Sequence, residues 1–153
     1  MKVLLLLALA SLLSAATSGF VIWKAADLKN FASKLHSKIN QDHTANERLP
    51  DYEGHAVFVV HREGTGLAEI HETLAHMIYV ISGEAVVVVG GTMSYPKNIA
   101  PEQTVGTSVE GGEATRLAAG DLVHIPPKTP HWFKVASGAQ ITYVMMNLES
   151  GGP

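Results

Sequence analysis

The sequence predicts an all-β, single-domain protein that carries one amphipathic helix before its sheet. From position 55 onward, short apolar runs rich in β-branched residues alternate with turns that contain glycine or proline. Upstream of these runs, one stretch has apolar residues at helical spacing. A chain of 153 residues has the length of one domain. Seven or eight short strands with this punctuation are typical of an antiparallel sandwich or barrel.

The first sixteen residues have the composition of a secretory signal peptide. Lys2 precedes an apolar run at 3–13, and the small residues Ser14 and Ala16 follow it. The run is shorter than the roughly 20 residues that span a bilayer, which favours a cleaved signal over a membrane anchor. We place the cut after Ala16, with a cut after Ser18 as the alternative. This predicts a secreted or periplasmic protein without membrane contact after cleavage.

Residues 17–52 are predicted to form a helix followed by a loop. The helix is expected over 24–39, with Asp27 placed to cap its start and its apolar face packed outside the sheet. Residues 41–52 are polar, contain Pro50 and predict the loop. The apolar face consists of Leu28, Phe31, Ala32, Leu35 and Ile39.

Residues 53–148 are predicted to form the barrel itself. A long segment at 92–112 contains two prolines and several glycines, which predicts a loop with at most one short strand. Loops of that length more often have a function, or form part of a dimer contact, than serve only as connections. Residues 149–153 are predicted to be a flexible tail. The strands are expected at 55–62, 67–72, 77–82, 84–89, 116–118, 122–125, 131–136 and 140–148.

Charge and cysteine content exclude several function classes. Removing Lys2 from the 11 lysines and arginines leaves 10 basic against 14 acidic residues, a net charge of −4 before histidine is counted. The chain also has no run of basic residues, so nucleic acid and anionic membrane surfaces are excluded as partners. The absence of cysteine excludes disulfides, a thiol enzyme and a lipid-bearing N-terminal cysteine.

Three imidazoles and one carboxylate have spacings that suit a single metal ion. Glu69 and His71 are two residues apart, so on a strand both side chains leave the same face. His76 begins the next apolar run, and His131 begins another after a proline-rich turn. Such a set favours Fe, Mn, Ni, Cu or Zn over Mg or Ca and can leave coordination positions open. Glu69 is predicted either to bind the metal or to act beside it as a general base.

These residues lie in two segments that resemble the two motifs of the cupin superfamily. The first includes residues 79–84 with Gly83, and the second covers residues 120–132 with Gly120, Pro126 and His131 in register. The resemblance extends over residues 56–147 and implies a cupin β-barrel, also called a double-stranded β-helix or jelly roll. It also implies a three-imidazole, one-carboxylate metal site.

The chain departs from the family pattern at several positions. Glu69 stands where the family has its first histidine, and His76 stands where it has its glutamate, so two ligand types are exchanged. Gly64 is one residue out of register for the first glycine of the pattern. Lys128 replaces the glycine of the second motif, and Val135 replaces its asparagine.

The resemblance implies a small metalloenzyme of the dioxygenase, isomerase, lyase or cyclase type. Its alternative is a non-catalytic cupin that binds a sugar, a phenolic or a metal ion, and a third interpretation treats the histidines as structural. Ile78, Val80 and Phe133 are expected to line the metal site, so we expect a small, partly apolar substrate. Tyr79 and Trp132 are expected to point outward, toward the helix or the partner of a homodimer. His61 and His124 have no spacing argument, and each is predicted either to flank the metal ligands or to lie outside the site.

Overall fold

The computed structural model describes residues 19–49 and 52–150, with one helix, α1 (Ala25–His36), followed by twelve strands. The signal peptide expected at 1–16 and the last three residues lie outside the described residues. Within 19–49 and 52–150, no helix is long and apolar enough to cross a membrane. The strands are β1 (Thr44–Arg48), β2 (His55–Arg62), β3 (Ala68–His71), β4 (Leu74–Val89), β5 (Thr92–Ser94), β6 (Lys97–Ala100), β7 (Gln103–Gly106), β8 (Ser108–Glu110), β9 (Glu113–Ala118), β10 (Leu122–Ile125), β11 (His131–Lys134) and β12 (Ile141–Glu149).

Ten of these strands form one curled antiparallel sheet, and β4 connects its two halves. The first half of β4 pairs with β12 and β10, and its second half pairs with β11 and β9. The sheet order is β1-β2-β12-β4-β11-β3-β7-β6, and β5 pairs with β8 in a separate small sheet. The predicted all-β fold with one N-terminal helix is therefore confirmed.

The interior of the curled sheet is filled by side chains that alternate along the strands. On β2, Val60 and Arg62 face this interior, while Val59 and His61 face α1, as the period of two in a strand requires. The helix packs on the outside of the sheet through the fully buried Leu35, as predicted. The buried interior residues are Val60, Ile78, Val80, Ala85, Val87, Leu117, Ile125, Phe133, Val135, Ile141 and Tyr143.

The structure joins the two strands predicted at 77–82 and 84–89 into the single strand β4. Gly83 lies at the junction with φ of +76°, and a Cβ there would lie 2.0 Å from the Gln140 carbonyl oxygen. The register of β12 on β4 also shifts between Thr142 and Tyr143. A glycine in a strand can mark a bend or close backbone approach rather than an end, which is why the predicted break was wrong.

Four short strands, β5 to β8, occupy the segment that the sequence predicts as a loop at 92–112. Similarly, β1 lies within the loop predicted at 41–52. All four residues of β6 are exposed, and β1 buries only Ala45. These edge strands depend on pairing with a neighbour rather than on an apolar pattern of their own, so local sequence did not reveal them.

The ends of α1 and β12 also differ from their predictions. Asp27 does not cap the helix, because the N-cap residue is Lys24, which makes no side-chain capping bond. Asp27 instead lies in the first turn, where an acidic group favours the helix dipole. At the other end of the chain, Glu149 belongs to β12, and Ser150 donates two hydrogen bonds to the Thr73 carbonyl at 2.8 and 2.6 Å. These two residues are therefore attached to the sheet.

Candidate metal centre

Three histidines from different strands meet at one end of the interior. His71 ends β3, His76 lies near the start of β4, and His131 begins β11. One ligand nitrogen from each lies within 4.8 Å of the other two. His76 and His131 are 2% and 5% exposed, and His71 is half-buried. The turn before His131 is fixed to β3, because the Lys128 amide donates to the His71 carbonyl oxygen at 2.7 Å.

Hydrogen bonds orient two of these rings so that Nε2 carries the free lone pair. His131 Nδ1 donates to the Thr129 carbonyl oxygen at 3.0 Å, and His76 Nδ1 donates to Asn147 Oδ1 at 2.7 Å. Each Nδ1 therefore holds the proton, because its partner oxygen accepts. His76 Nε2 is buried and has no hydrogen-bond partner, and no other buried side-chain nitrogen or oxygen in the described residues shares this state. A bound metal ion would give this nitrogen a partner.

The pKa values of the two buried imidazoles keep them neutral. Burial, with repulsion from His131 and His71, lowers the pKa of His76 to about 4. Burial also lowers the pKa of His131, although its bond to Thr129 opposes the shift. Both rings are therefore neutral above pH 6.5, the form in which imidazole binds metals.

Glu69 lies beside the imidazoles, as the sequence predicts. Its Oε2 is 3.5 Å from His71 Nε2 and 4.0 Å from His131 Nε2. Burial raises the pKa of this carboxyl, but His71, Arg62 and His131 outweigh burial and hold the pKa at about 2. The group whose ligand atoms all lie within 4.8 Å of one another contains the three histidines and not Glu69, which lies beside it. The structure thus brings all four predicted residues together.

Arg62 is a charged neighbour of the site that the sequence analysis did not select. Its Nη2 lies 3.9 Å from Glu69 Oε1, and its side chain is 10% exposed. Nε donates to the Tyr143 hydroxyl at 2.9 Å, and Nη1 donates to Thr44 Oγ1 at 3.0 Å. The alternation of β2 could have revealed it, because Arg62 shares the inward face of Phe58 and Val60.

A cavity of about 200 Å³ adjoins the histidines, and residues of β1 form part of its wall. Apolar side chains form one part of its wall, and the other lining residues carry polar or charged groups. Ile78 and Phe133 line it as predicted, whereas Val80 lies in the core without lining it. The lining residues are Thr44, Asn46, Phe58, Val60, Arg62, Glu69, His76, Ile78, Gln103, His131, Phe133, Tyr143 and Met145.

The aromatic residues predicted to point outward differ in their surroundings. Tyr79 is 45% exposed on the outer face of β4. Trp132, in contrast, packs against buried residues of β4, β5 and β8, including Met93 and Val109, and its Nε1 donates to the Gly66 carbonyl oxygen at 2.8 Å. The segment 92–112 therefore covers Trp132, so neither α1 nor a partner chain is needed to cover it.

His61 and His124 lie away from the three histidines. His124 is exposed and lines a separate groove of about 600 Å³ formed by β9, β10 and the end of β4. His61 is buried beneath α1, where its two ring nitrogens contact Thr142 Oγ1 at 2.8 Å and Glu63 Oε1 at 2.9 Å. Glu63 also contacts His36 at the end of α1. Because the polar groups of His36, His61, Glu63 and Thr142 are paired within this cluster, we interpret the cluster as a contact that holds α1 against the sheet.

Comparisons with known proteins support the fold. No protein-family model matches the chain, and no curated protein matches it. Among solved structures, the polyketide cyclase RemF from Streptomyces resistomycificus is similar with a TM-score of 0.52 and 19% identity, over 72% of this chain and 68% of that one. The Streptomyces nucleoside dehydratase Pac13 is similar with a TM-score of 0.51 and 17% identity, over 74% and 75%.

A cupin-2 domain protein from Rhodospirillum rubrum has a TM-score of 0.50 and 16% identity, over 69% of this chain and 60% of that one. At these identities the likeness concerns the fold alone. The chain has the cupin β-barrel fold, as the resemblance of its two motifs implied.

Proposed function

From a cupin barrel with three convergent imidazoles, we propose that this chain is an exported metalloenzyme for a small organic substrate. His71, His76 and His131 hold one divalent transition metal, and Glu69 completes or flanks the set. The observation that carries this proposal is the buried, unpartnered Nε2 of His76, which lies with two other imidazole nitrogens in a group spanning no more than 4.8 Å. A purely structural histidine cluster would be expected to pair its buried nitrogens.

The residues present fit a transition metal by their chemistry. Neutral imidazoles suit Fe, Mn, Ni, Cu and Zn, whereas Mg and Ca prefer oxygen ligands. The bonds from Nδ1 of His76 and His131 are of the kind that fixes ligand rings from outside a metal site. A metal bound there supplies Lewis-acid polarisation of a substrate oxygen or, if it is iron, a redox centre.

The low pKa of Glu69 favours the role of metal ligand or fixed charge over that of general base. A general base works best when its pKa lies near the working pH, and a carboxyl with a pKa of about 2 holds a proton too weakly. The same ionised form binds a cation without first losing a proton. The sequence leaves open whether Glu69 binds the metal or acts as a general base, and we therefore propose that it binds the metal.

Cyclase, lyase or isomerase chemistry is the first reaction class we propose to assay. The named structural neighbours include a polyketide cyclase and a nucleoside dehydratase, both of which act on organic molecules. Dioxygenase chemistry becomes the leading class if the resident metal is iron. A small-molecule ligand held without turnover is the alternative, and the cavity of about 200 Å³ would also accept one.

Export and self-association are parts of the proposal that rest on separate features. Export is supported by the charged start, apolar run and small residues at 1–16. A homodimer is supported by Tyr79 and Leu122, which lie opposite each other on β4 and β10 and are 45% and 66% exposed. Neighbouring exposed apolar side chains of this kind are typical of contact surfaces.

Elemental analysis of the mature chain tests the metal proposal. The chain would begin at Thr17, carry no His tag, and be exported in a native-like host. We expect about one transition-metal ion per chain in the wild type and almost none in His71→Ala or His131→Ala, because each variant loses one of the three nitrogen donors. His55→Ala, altered outside this cluster, should retain the ion. If the wild-type chain held no metal, even after reconstitution, the metalloenzyme proposal would be wrong, and a ligand-binding or structural role for the barrel would remain.

The variant Glu69→Gln tests the role of the carboxylate. The substitution removes the charge while keeping the shape, so we expect metal affinity to fall by about 10–100-fold. Competition with a chromophoric chelator measures this change, and Glu72→Gln, altered at an exposed position, should bind metal like the wild type. Unchanged affinity in Glu69→Gln would contradict the ligand role and return Glu69 to the role of general base.

A further inference from the structure

Arg62 is a fixed cation with one nitrogen still available. Nε and Nη1 are occupied by Tyr143 and Thr44, and the guanidinium lies 5.3 Å from the Phe133 ring centroid. Nη2 makes no hydrogen bond within the described residues, since its nearest charged partner, Glu69 Oε1, is 3.9 Å away. That distance exceeds the range of a direct hydrogen bond, so Nη2 can donate a hydrogen bond to an oxygen of a molecule in the cavity.

The backbone at Gly66 approaches the Arg62 guanidinium closely and limits where this side chain can lie. A Cβ at Gly66 would lie 2.8 Å from Arg62 Nη1, so any larger residue there would have to displace the guanidinium. Together with the bonds from Nε and Nη1, this close approach limits movement of the side chain. A pre-positioned guanidinium loses little rotamer freedom when it binds an anion.

The charges in the cavity wall do not balance once the metal site is filled. Glu69 and Arg62 are the acidic and basic residues among the lining residues, and their charges cancel. A divalent ion on neutral imidazoles would add two positive charges, and no second carboxylate stands among the lining residues to compensate them. Uncompensated charge in a partly buried cavity is costly, so an anion in the cavity would be favoured.

Resting on the proposed metal site, we propose that the cavity selects a small organic carboxylate and that Arg62 Nη2 donates a hydrogen bond to one of its oxygens. A cavity of about 200 Å³ is smaller than the roughly 300–1,000 Å³ that holds drug-sized ligands, which limits the substrate to a few carbons. Its apolar walls, formed by Phe58, Ile78 and Met145, suit the hydrocarbon part. Arg62 is then a specificity-determining residue for the proposed enzyme.

Binding of propionate and propionamide to the cobalt(II)-loaded chain tests this inference. The two probes have nearly the same shape and differ in charge, and calorimetry at fixed ionic strength gives their affinities. Visible absorption of the cobalt separately reports whether the metal is bound. We expect propionate to bind at least tenfold more tightly than propionamide, and Arg62→Met to reduce this preference at least tenfold with cobalt uptake unchanged. Arg62→Lys, which keeps the charge, should retain part of the preference for propionate over propionamide.

The surface variant Arg116→Met is the matched control, because Arg116 is exposed and pairs with Glu84 outside the barrel. It should keep the preference for propionate. Equal affinity for both probes in the wild type overturns the inference alone and requires no variant to fold. A folded Arg62→Met that keeps the full preference for propionate also overturns the inference. Failure of the wild type to take up cobalt overturns the metal centre and this inference with it.

Discussion

Replacing His76 by leucine should abolish the stabilisation that metal gives the protein while leaving the metal-free protein about as stable as before. Metal at 100 to 1,000 times its dissociation constant should raise the free energy of unfolding of the wild type by about 3–4 kcal/mol. The variant lacks one nitrogen of the cluster and should gain almost nothing. Urea unfolding with and without the ion measures both quantities.

The metal-free half of this expectation follows from the unpartnered nitrogen. His76 Nε2 is buried without a hydrogen bond, a state that costs about 1–3 kcal/mol. Leucine removes this cost and fills a similar volume. It also removes the bond to Asn147, but Asn147 is only half-buried and can bond to water instead. If His76 were structural, the metal-free variant would instead be destabilised.

A control variant separates this effect from a general effect of losing a histidine. His124→Leu makes the same change at an exposed position that faces a separate groove, outside the three-histidine group, and should keep the full metal-dependent gain. A metal-dependent gain in His76→Leu that equals the wild-type gain would contradict the assignment of His76 to the centre.

The central strands were predictable because their own side chains determine them. The run at 55–62 has β-branched residues on both faces, since β2 is covered by α1 on one side and by the interior on the other. The edge strands β1 and β6 carry almost no apolar signal, and they form because a neighbouring strand offers free hydrogen-bonding groups. That information lies in the tertiary structure.

The candidate site was likewise predictable from the sequence only in part. Glu69, His71, His76 and His131 were identified because strand alternation and motif spacing are properties of the sequence. The groups that hold these side chains were not, since Asn147 is 71 residues from His76 and Tyr143 is 81 residues from Arg62. Arg62 ends its strand, where a charged residue is usually solvated, so its inward position became clear only from the packed structure.

The metal-free protein should lose stability as the pH falls from 6.5 toward 4, and His76 should account for a large part of the loss. Its pKa is about 4 in the folded state, against 6.5 as the ordinary value expected in the unfolded chain. Between these values the unfolded state binds more protons, so stability is fully present above pH 6.5 and decreases as the pH falls. The slope is about 1.4 kcal/mol per pH unit for one such group.

Unfolding free energies at pH 6.5 and pH 5 test this expectation away from most carboxyl titration. The wild type should lose about 1.5 kcal/mol more over this interval than His76→Leu, which has no imidazole to protonate. His131, whose pKa is also lowered by burial, contributes to the loss that remains in the variant. The metal-loaded protein should show a flatter profile, because a bound ion occupies the lone pair that a proton would take. Equal slopes for the wild type and His76→Leu would mean that the site does not lower the pKa of this imidazole. The lone pair proposed to bind the metal would then take up a proton near pH 6.5, as in the unfolded chain.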